Sequence, residues 1–284
     1  MEVKEIYKRK KLYILILFVL LIVFLFAGLF NRLTVTKYTI QNDKIETDIK
    51  IVLLTDLHSC SYGESQNQLI EAIDKQSPDL ILLSGDILDD VLPDDNVMKL
   101  LDGIADRYPC YYVTGNHEFW SGRVKEQKEM FHSYGVEVLE GDSRSILLNG
   151  QTISICGVDD PAIGKESFER QLDAVIGTVN EEQYTILLSH RPELFMDYAK
   201  GDFDLVLSGH AHGGQWRLPL ILPNGLYAPA QGFFPEYTKG VHTYNNTKMV
   251  VSRGLSKEST RIPRFFNPPE IVVINLVSNS LTEN

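Results

Sequence analysis

The sequence predicts an α/β domain carried behind one N-terminal apolar helix, and three observations predict it. From about residue 34, short β-branched runs alternate with longer amphipathic stretches, the pattern of strands joined by helices. Ahead of them, Leu12 to Phe30 is unbroken by charge. Third, residues able to hold metal ions recur directly after the strand-like runs: Asp56, His58, Asp86, Asn116, His190, His210 and His212.

The apolar run is expected to be a transmembrane anchor spanning residues 12–30. At about 1.5 Å rise per residue it can cross roughly 30 Å of hydrocarbon. A cleaved signal peptide would have an apolar core of about 7 to 15 residues and a small-x-small cleavage site, whereas here Ala27-Gly28 is followed by bulky Leu29 and Phe30. Lys4, Lys8, Arg9, Lys10 and Lys11 precede the run, and only Arg32 and Lys37 follow it closely. The positive-inside rule therefore puts residues 1–11 in the cytoplasm and the domain on the other side of the cell membrane, in a single-pass arrangement. No Arg-Arg pair precedes the run, which argues against twin-arginine export. Residues 31–40 are expected to form a short linker or first strand, a tether of at most about 36 Å if extended, and residues 41–284 the folded domain.

Within that domain the strand-like runs are Ile49 to Thr55, Leu80 to Ser84, Tyr111 to Thr114, Thr152 to Gly157, Thr185 to Ser189, Leu205 to Ser208, Met249 to Ser252 and Ile271 to Leu276. Helix-like stretches are Ser65 to Gln76, Asp94 to Arg107, Gly122 to Tyr134, Ser167 to Val179 and Glu193 to Tyr198. Neither an internal repeat nor a low-complexity linker is visible. In open α/β sheets, loops from several strands converge at the strands' carboxyl ends, so the position of the polar residues predicts one shared site.

Of 27 Lys/Arg and 38 Asp/Glu, residues 1–40 hold 7 and 2, leaving a formal charge of −16 on the remainder. Nucleic-acid affinity comes largely from Lys and Arg neutralising phosphates, so this domain is a poor non-specific ligand for nucleic acid. Its three cysteines, Cys60, Cys110 and Cys156, have no C-x-x-C spacing and indicate neither a disulfide framework nor a zinc knuckle. Cys110 and Cys156 read as core residues; Cys60, two positions after His58, reads as a loop thiol or as a neighbour of the site.

Five motifs carry the chemistry: D-L-H (Asp56, His58), G-D-I-L-D (Gly85, Asp86, Asp89), G-N-H-E (Gly115 to Glu118), S-H (Ser189, His190) and G-H-A-H-G-G (Gly209 to Gly214). Five of the seven histidines fall in them, so His132 and His242 read as incidental. Carboxylate, imidazole and amide ligands without thiolate suit Mn²⁺ first, with Fe or Zn²⁺ also compatible. Seven candidate ligands exceed the needs of one ion, so two divalent ions about 3.5 to 4 Å apart are expected, held by a bridging carboxylate.

This ordered set resembles the calcineurin-like metallophosphoesterase superfamily over Asp56 to Gln215. The later R-F-F-N-P-P-E-I (Arg264 to Ile271), with the N-terminal anchor, is similar to its bacterial YkuE/YaeI-type branch, which also includes enzymes resembling UDP-2,3-diacylglucosamine pyrophosphatase. The resemblance implies two mixed β-sheets packed face to face with helices outside. It implies a phosphoric ester hydrolase in which Asp56, His58 and His212 hold one metal, Asn116, His190 and His210 the other, and Asp86 bridges them. It further implies a nucleophilic water or hydroxide between the ions, with His117 protonating the leaving oxygen and Asp89 orienting its ring.

Plainer readings exist at each position. Asp56 alone suits a helix cap, His190 a satisfied core histidine, and the motif glycines ordinary turns; the ordered set outweighs them. Asp90 competes with Asp89, which fits G-D-x-x-D. Glu118 reads as a structural acid and Arg191 as a structural or surface arginine rather than a phosphate contact. Trp216 to Tyr237, rich in Pro, Gly and aromatics, is expected either to wall the substrate pocket and face lipid or to pack internally. Near a membrane the reachable substrates are a phospholipid, a lipid-linked diphosphate or another envelope phosphodiester. A metal-dependent nuclease and a catalytically silent binding protein of the same fold are the competing functions. Charge argues against the first, and the intact set of ligands with His117 against the second.

Overall fold

The computed structural model describes residues 2–257 and 262–279. The first helix, α1 (Glu2–Gly28), extends back through the basic residues and ends short of Phe30; within it Lys4–Gly28 is long and apolar enough to cross a membrane. β1 (Thr34–Asn42) follows almost at once, on residues read as a short linker or first strand. The end of α1 is pinned to the domain: the Phe266 N–H donates to the Gly28 carbonyl at 2.6 Å, and the Phe24 ring lies 5.7 Å from Phe265 and 5.1 Å from Phe266.

In chain order come β2 (Ile49–Leu54), α2 (Asn67–Asp74), β3 (Leu80–Ser84), α3 (Asp95–Ile104), β4 (Cys110–Val113), α4 (Asn116–Trp120), α5 (Val124–Ser133), β5 (Glu137–Val138), β6 (Asp142–Leu148), β7 (Gln151–Gly157), α6 (Lys165–Ile176), β8 (Thr185–Leu188), α7 (Phe195–Tyr198) and β9 (Leu205–Ser208). A small hairpin, β10 (Tyr227–Ala228) and β11 (Gly232–Phe233), then leads to β12 (Gly240–Tyr244), β13 (Thr247–Val251) and β14 (Glu270–Ser278). Among the described residues these strands make two six-stranded mixed sheets, ordered β1-β14-β2-β3-β4-β5 and β12-β13-β9-β8-β7-β6.

The sheets stack because their strands are apolar on both faces. Ile51, Leu53, Leu80 and Leu82 from the first sheet meet Ile155, Ile186, Leu188 and Leu207 from the second in a fully buried central layer. The intervening residues point outward: Val52, Leu54, Ile81 and Leu83 pack under α2, α3 and α5, while Leu187, Val206 and Val251 pack under α6 and α7. Period-two alternation in a strand buried on both sides gives a continuous Val/Ile/Leu run, which is why these strands stood out in the sequence.

The polar, edge-lying elements were harder to read. β6 and β12 border their sheet, alternate exposed with half-buried residues, and escaped the reading. The two sheets are drawn together at their carboxyl ends, where Ser84 Oγ donates to the Leu207 carbonyl across the sandwich at 2.8 Å. Ligand-bearing loops from both sheets therefore open into one place.

The core makes a direct stability prediction. Phe131 of α5 stacks on Tyr112 of β4 with ring centroids 3.8 Å apart, and both are buried. Phe131→Ala is expected to cost about 3 to 5 kcal/mol, read as a lowered denaturant midpoint of the detergent-solubilised chain.

Candidate metal centre

Each expected ligand sits on a turn just past a strand. β2 ends into Asp56 and His58, β3 into Asp86, β4 into Asn116, β8 into His190, and β9 into His210 and His212. Asp56, His58, Asp86, His210 and His212 all adopt left-handed backbone, with φ between 46° and 63°. For a residue with a Cβ that conformation costs on the order of 1 to 3 kcal/mol, so tertiary contacts must hold these turns in place.

Glu118 supplies part of that hold. Its carboxylate accepts N–H bonds from Gly115 at 2.7 Å, Asp86 at 3.1 Å and Leu88 at 3.0 Å, tying the G-D-I-L-D and G-N-H-E turns together. Burial and the nearby Asp86 charge raise its pKa to about 7. Gly254 supplies another part from outside the recognised motifs: at φ 74° it presses on Asp56, and a Cβ there would come within 2.6 Å of the Asp56 side chain.

The structure brings the ligand atoms of Asp56, His58, Asp86 and His212 within 4.8 Å of one another, and likewise those of Asp86, His190 and His210. Asp86 belongs to both groups. Asn116 is buried at the start of α4 with its Oδ1 lacking a hydrogen-bond partner, as does Asp56 Oδ2, while the inward nitrogens of His58 and His190 have only carboxylates facing them. Buried polar atoms are normally satisfied; two unpartnered ligand oxygens beside imidazoles crowded against carboxylates fit a bound cation.

The electrostatics agree. Burial alone would lower the pKa of His190, yet Asp86 at 3.0 Å and Asp56 at 3.9 Å together raise it to about 10. Burial likewise opposes charge on His58, but Asp89, Asp86 and Asp56 raise its pKa. Burial, reinforced by neighbouring His190 and Arg191, lowers His210 well below the usual imidazole value; burial with His58 and Arg264 does the same to His212. The site thus sets two imidazoles whose protonated form the carboxylates favour, His58 and His190, and two that burial keeps neutral, His210 and His212, around the buried pair Asp56 and Asp86.

Supporting bonds fix which nitrogen faces inward. His190 Nδ1 donates to the Ser84 carbonyl at 2.9 Å, turning Nε2 toward Asp86. The His212 Nδ1 and Ser256 Oγ are 2.8 Å apart, and Ser256 Oγ accepts from Arg264 at 3.0 Å, so His212 presents Nε2. Arg191 grips Asp160 through two bonds at 2.6 and 3.0 Å and sets its Nη1 3.0 Å from His210 Nε2. Arg191 is therefore structural, one of the two roles expected for it.

Both candidate partners of His117 lie beside it, with Asp90 the nearer: His117 Nδ1 is 2.7 Å from Asp90 Oδ1 and 3.7 Å from Asp89 Oδ2. Asp89 is otherwise engaged, its Oδ1 accepting from the Val91 and Leu92 N–H groups at 2.9 Å each and its Oδ2 facing His58 Nδ1 at 3.3 Å. Cys60 is buried in the apolar cluster beneath the site with Leu57 and is in none of the ligand groups. Sequence reading missed Gly254, Ser256, Arg264 as the partner of Ser256, and Asn267, whose amide donates to the His212 carbonyl at 2.7 Å. The available signal was the Gly/Ser run Ser252 to Ser256, which follows a strand as the recognised motifs do.

Comparison with known proteins agrees with this geometry. The family model for calcineurin-like phosphoesterases matches residues 49–214. An uncharacterized metallophosphoesterase of Campylobacter jejuni is 31% identical, over 95% of this chain and 73% of that protein. The uncharacterized metallophosphoesterase YkuE of Bacillus subtilis is 30% identical, over 88% and 87%. Among solved structures, the NAD nucleotidase NadN of Haemophilus influenzae superposes with a TM-score of 0.53 at 16% identity, over 74% of this chain and 46% of that one, a likeness of fold alone. Matched across most of its folded part and carrying the buried His/Asp cluster, the chain belongs to the calcineurin-like phosphoesterase family.

Proposed function

We propose that this chain is a binuclear metal-dependent phosphoesterase, acting on a phosphodiester or diphosphate close to a membrane surface. The observation that carries the reading is Asp86, whose carboxylate is shared by the two buried ligand groups. Asp56, His58 and His212 would hold one ion, Asn116, His190 and His210 the other, and Asp86 both. Mn²⁺ suits this donor set best, with Fe or Zn²⁺ also compatible. Bound there, the cations supply Lewis acidity that offsets phosphoryl charge and makes water acidic enough to attack near neutral pH.

The protein's own part is proton delivery and exclusion of water. His117 is at the edge of the cluster, its ring 4.3 Å from that of His58 and 4.9 Å from that of Trp120. With Nδ1 bonded to Asp90, its Nε2 is the atom that carries a proton to the leaving oxygen. The buried ligands below it keep bulk water from competing. The basic residues before the apolar helix support a cytoplasmic N-terminus and an extracytoplasmic domain.

Three measurements test this reading. The full chain in detergent, loaded with Mn²⁺, should hydrolyse an aryl phosphodiester; metal analysis below about one ion per chain would remove the two-metal centre. His117→Ala should lower kcat by about 10²- to 10⁴-fold while metal content is retained, and Asp90→Asn should lower it by about tenfold, more than Asp89→Asn does at equal metal content. Because the metal-free site holds His190 protonated up to about pH 10, Mn²⁺ must displace that proton. Apparent affinity should therefore rise about tenfold per pH unit through neutrality, with about one proton released per chain in calorimetry across buffers. No proton release would mean that His190 is not a ligand.

A further inference from the structure

The last ligand loop runs into a surface that has no reason to face water. Leu220 is 100% exposed, Ile221 74%, Phe233 70% and Phe234 72%, with Trp216 and Tyr227 partly exposed beside them. From 218 to 235 the chain carries no Asp, Glu, Lys or Arg, and the neighbouring Arg217 is buried. Exposed apolar side chains are ordinary when scattered; here they are gathered on one short segment.

That segment is continuous with the apolar helix. The Phe24 ring packs against Phe265, and Phe265 against Trp216 with centroids 6.0 Å apart. Leu25 and Leu29 share a crevice with Trp216 and Leu222. The helix ends against the apolar loop, so a bilayer crossed by α1 would have this loop at its surface, with Trp216 at the depth where Trp is enriched.

We infer that residues 216–234 form a membrane-docking face whose partner is the lipid surface around α1. The inference rests on reading α1 as a membrane anchor and goes beyond it, since a tether alone would leave the domain free to tumble in water. Charge supports a lipid partner: the domain's formal −16 repels anionic head groups, and apart from the buried Arg217 the docking segment carries no charge. The face is also braced on the metal loop, because the Gly214 carbonyl accepts from both the Trp216 and Leu226 N–H groups at 2.8 Å. Docking would hold the metal centre beside the head groups, the arrangement suited to an amphiphilic phosphate ester whose tail stays in the bilayer.

The test uses the full chain in vesicles of phosphatidylethanolamine and phosphatidylglycerol, with nitroxides on single introduced cysteines at Leu17, Leu220, Phe234 and Lys125 and the labelled parent chain as blank. Labels at Leu220 and Phe234 should be reached by oxygen and protected from an aqueous nickel chelate, as at Leu17 and unlike Lys125. In a Trp120→Phe chain, brominated lipid should quench the remaining Trp216 fluorescence. If Leu17 is protected while 220 and 234 are as wet as 125 and Trp216 is not quenched, the docking face is refuted and the anchor stands. If Leu17 itself is wet, both fall.

Discussion

Two carboxylates with no access to water govern this molecule. Asp56 and Asp86 are buried among imidazoles, with Asp56 Oδ2 lacking a hydrogen-bond partner. An ionised carboxylate removed from water costs several kcal/mol unless opposite charge or hydrogen bonds compensate it. The fold accepts that cost, together with left-handed backbone at five ligand positions, because the place where both sheets end is the one place from which loops of each can surround the same point. Local instability and chemical capability have the same origin here: a concentration of negative charge that a cation would relieve.

The sandwich, in turn, explains why so few long-range contacts are needed to make the site rigid. Each ligand is one or a few residues from a strand whose side chains are buried on both faces, so its Cα inherits the precision of the core. Second contacts then select the useful nitrogen: the Ser84 carbonyl for His190 and Ser256 for His212. Such outer bonds set tautomer and ring direction for a ligand. Glu118 plays the same part for backbone, gathering three N–H groups from two loops onto one carboxylate.

What the sequence made legible follows from these physics. Strands buried on two sides announce themselves as unbroken aliphatic runs, and a metal ligand cannot be replaced by a chemically different residue, so Asp56 to His212 could be read as motifs. The partner of His117 could not. Asp89 and Asp90 are adjacent carboxylates, and the choice between them turned on which one the Val91 and Leu92 N–H groups engage, a matter of turn geometry. Gly254 and Ser256 were hidden for another reason: one leaves room against Asp56 and the other exchanges a hydrogen bond with His212, and neither residue type announces such a task by itself. The edge strands β6 and β12 were hidden by exposure, since water on one side removes the need for continuous apolar character.

The placement of β1 has a mechanical corollary. It is the first strand after α1, and it runs parallel to β14 in a register extending from Thr34 opposite Glu270 to Asn42 opposite Ser278. A pull delivered through α1 therefore travels along the strand axis and loads the whole row of inter-strand bonds together, in shear. Traction from the N-terminal side would meet a clamp, where an antiparallel hairpin at that position would have peeled open one bond at a time.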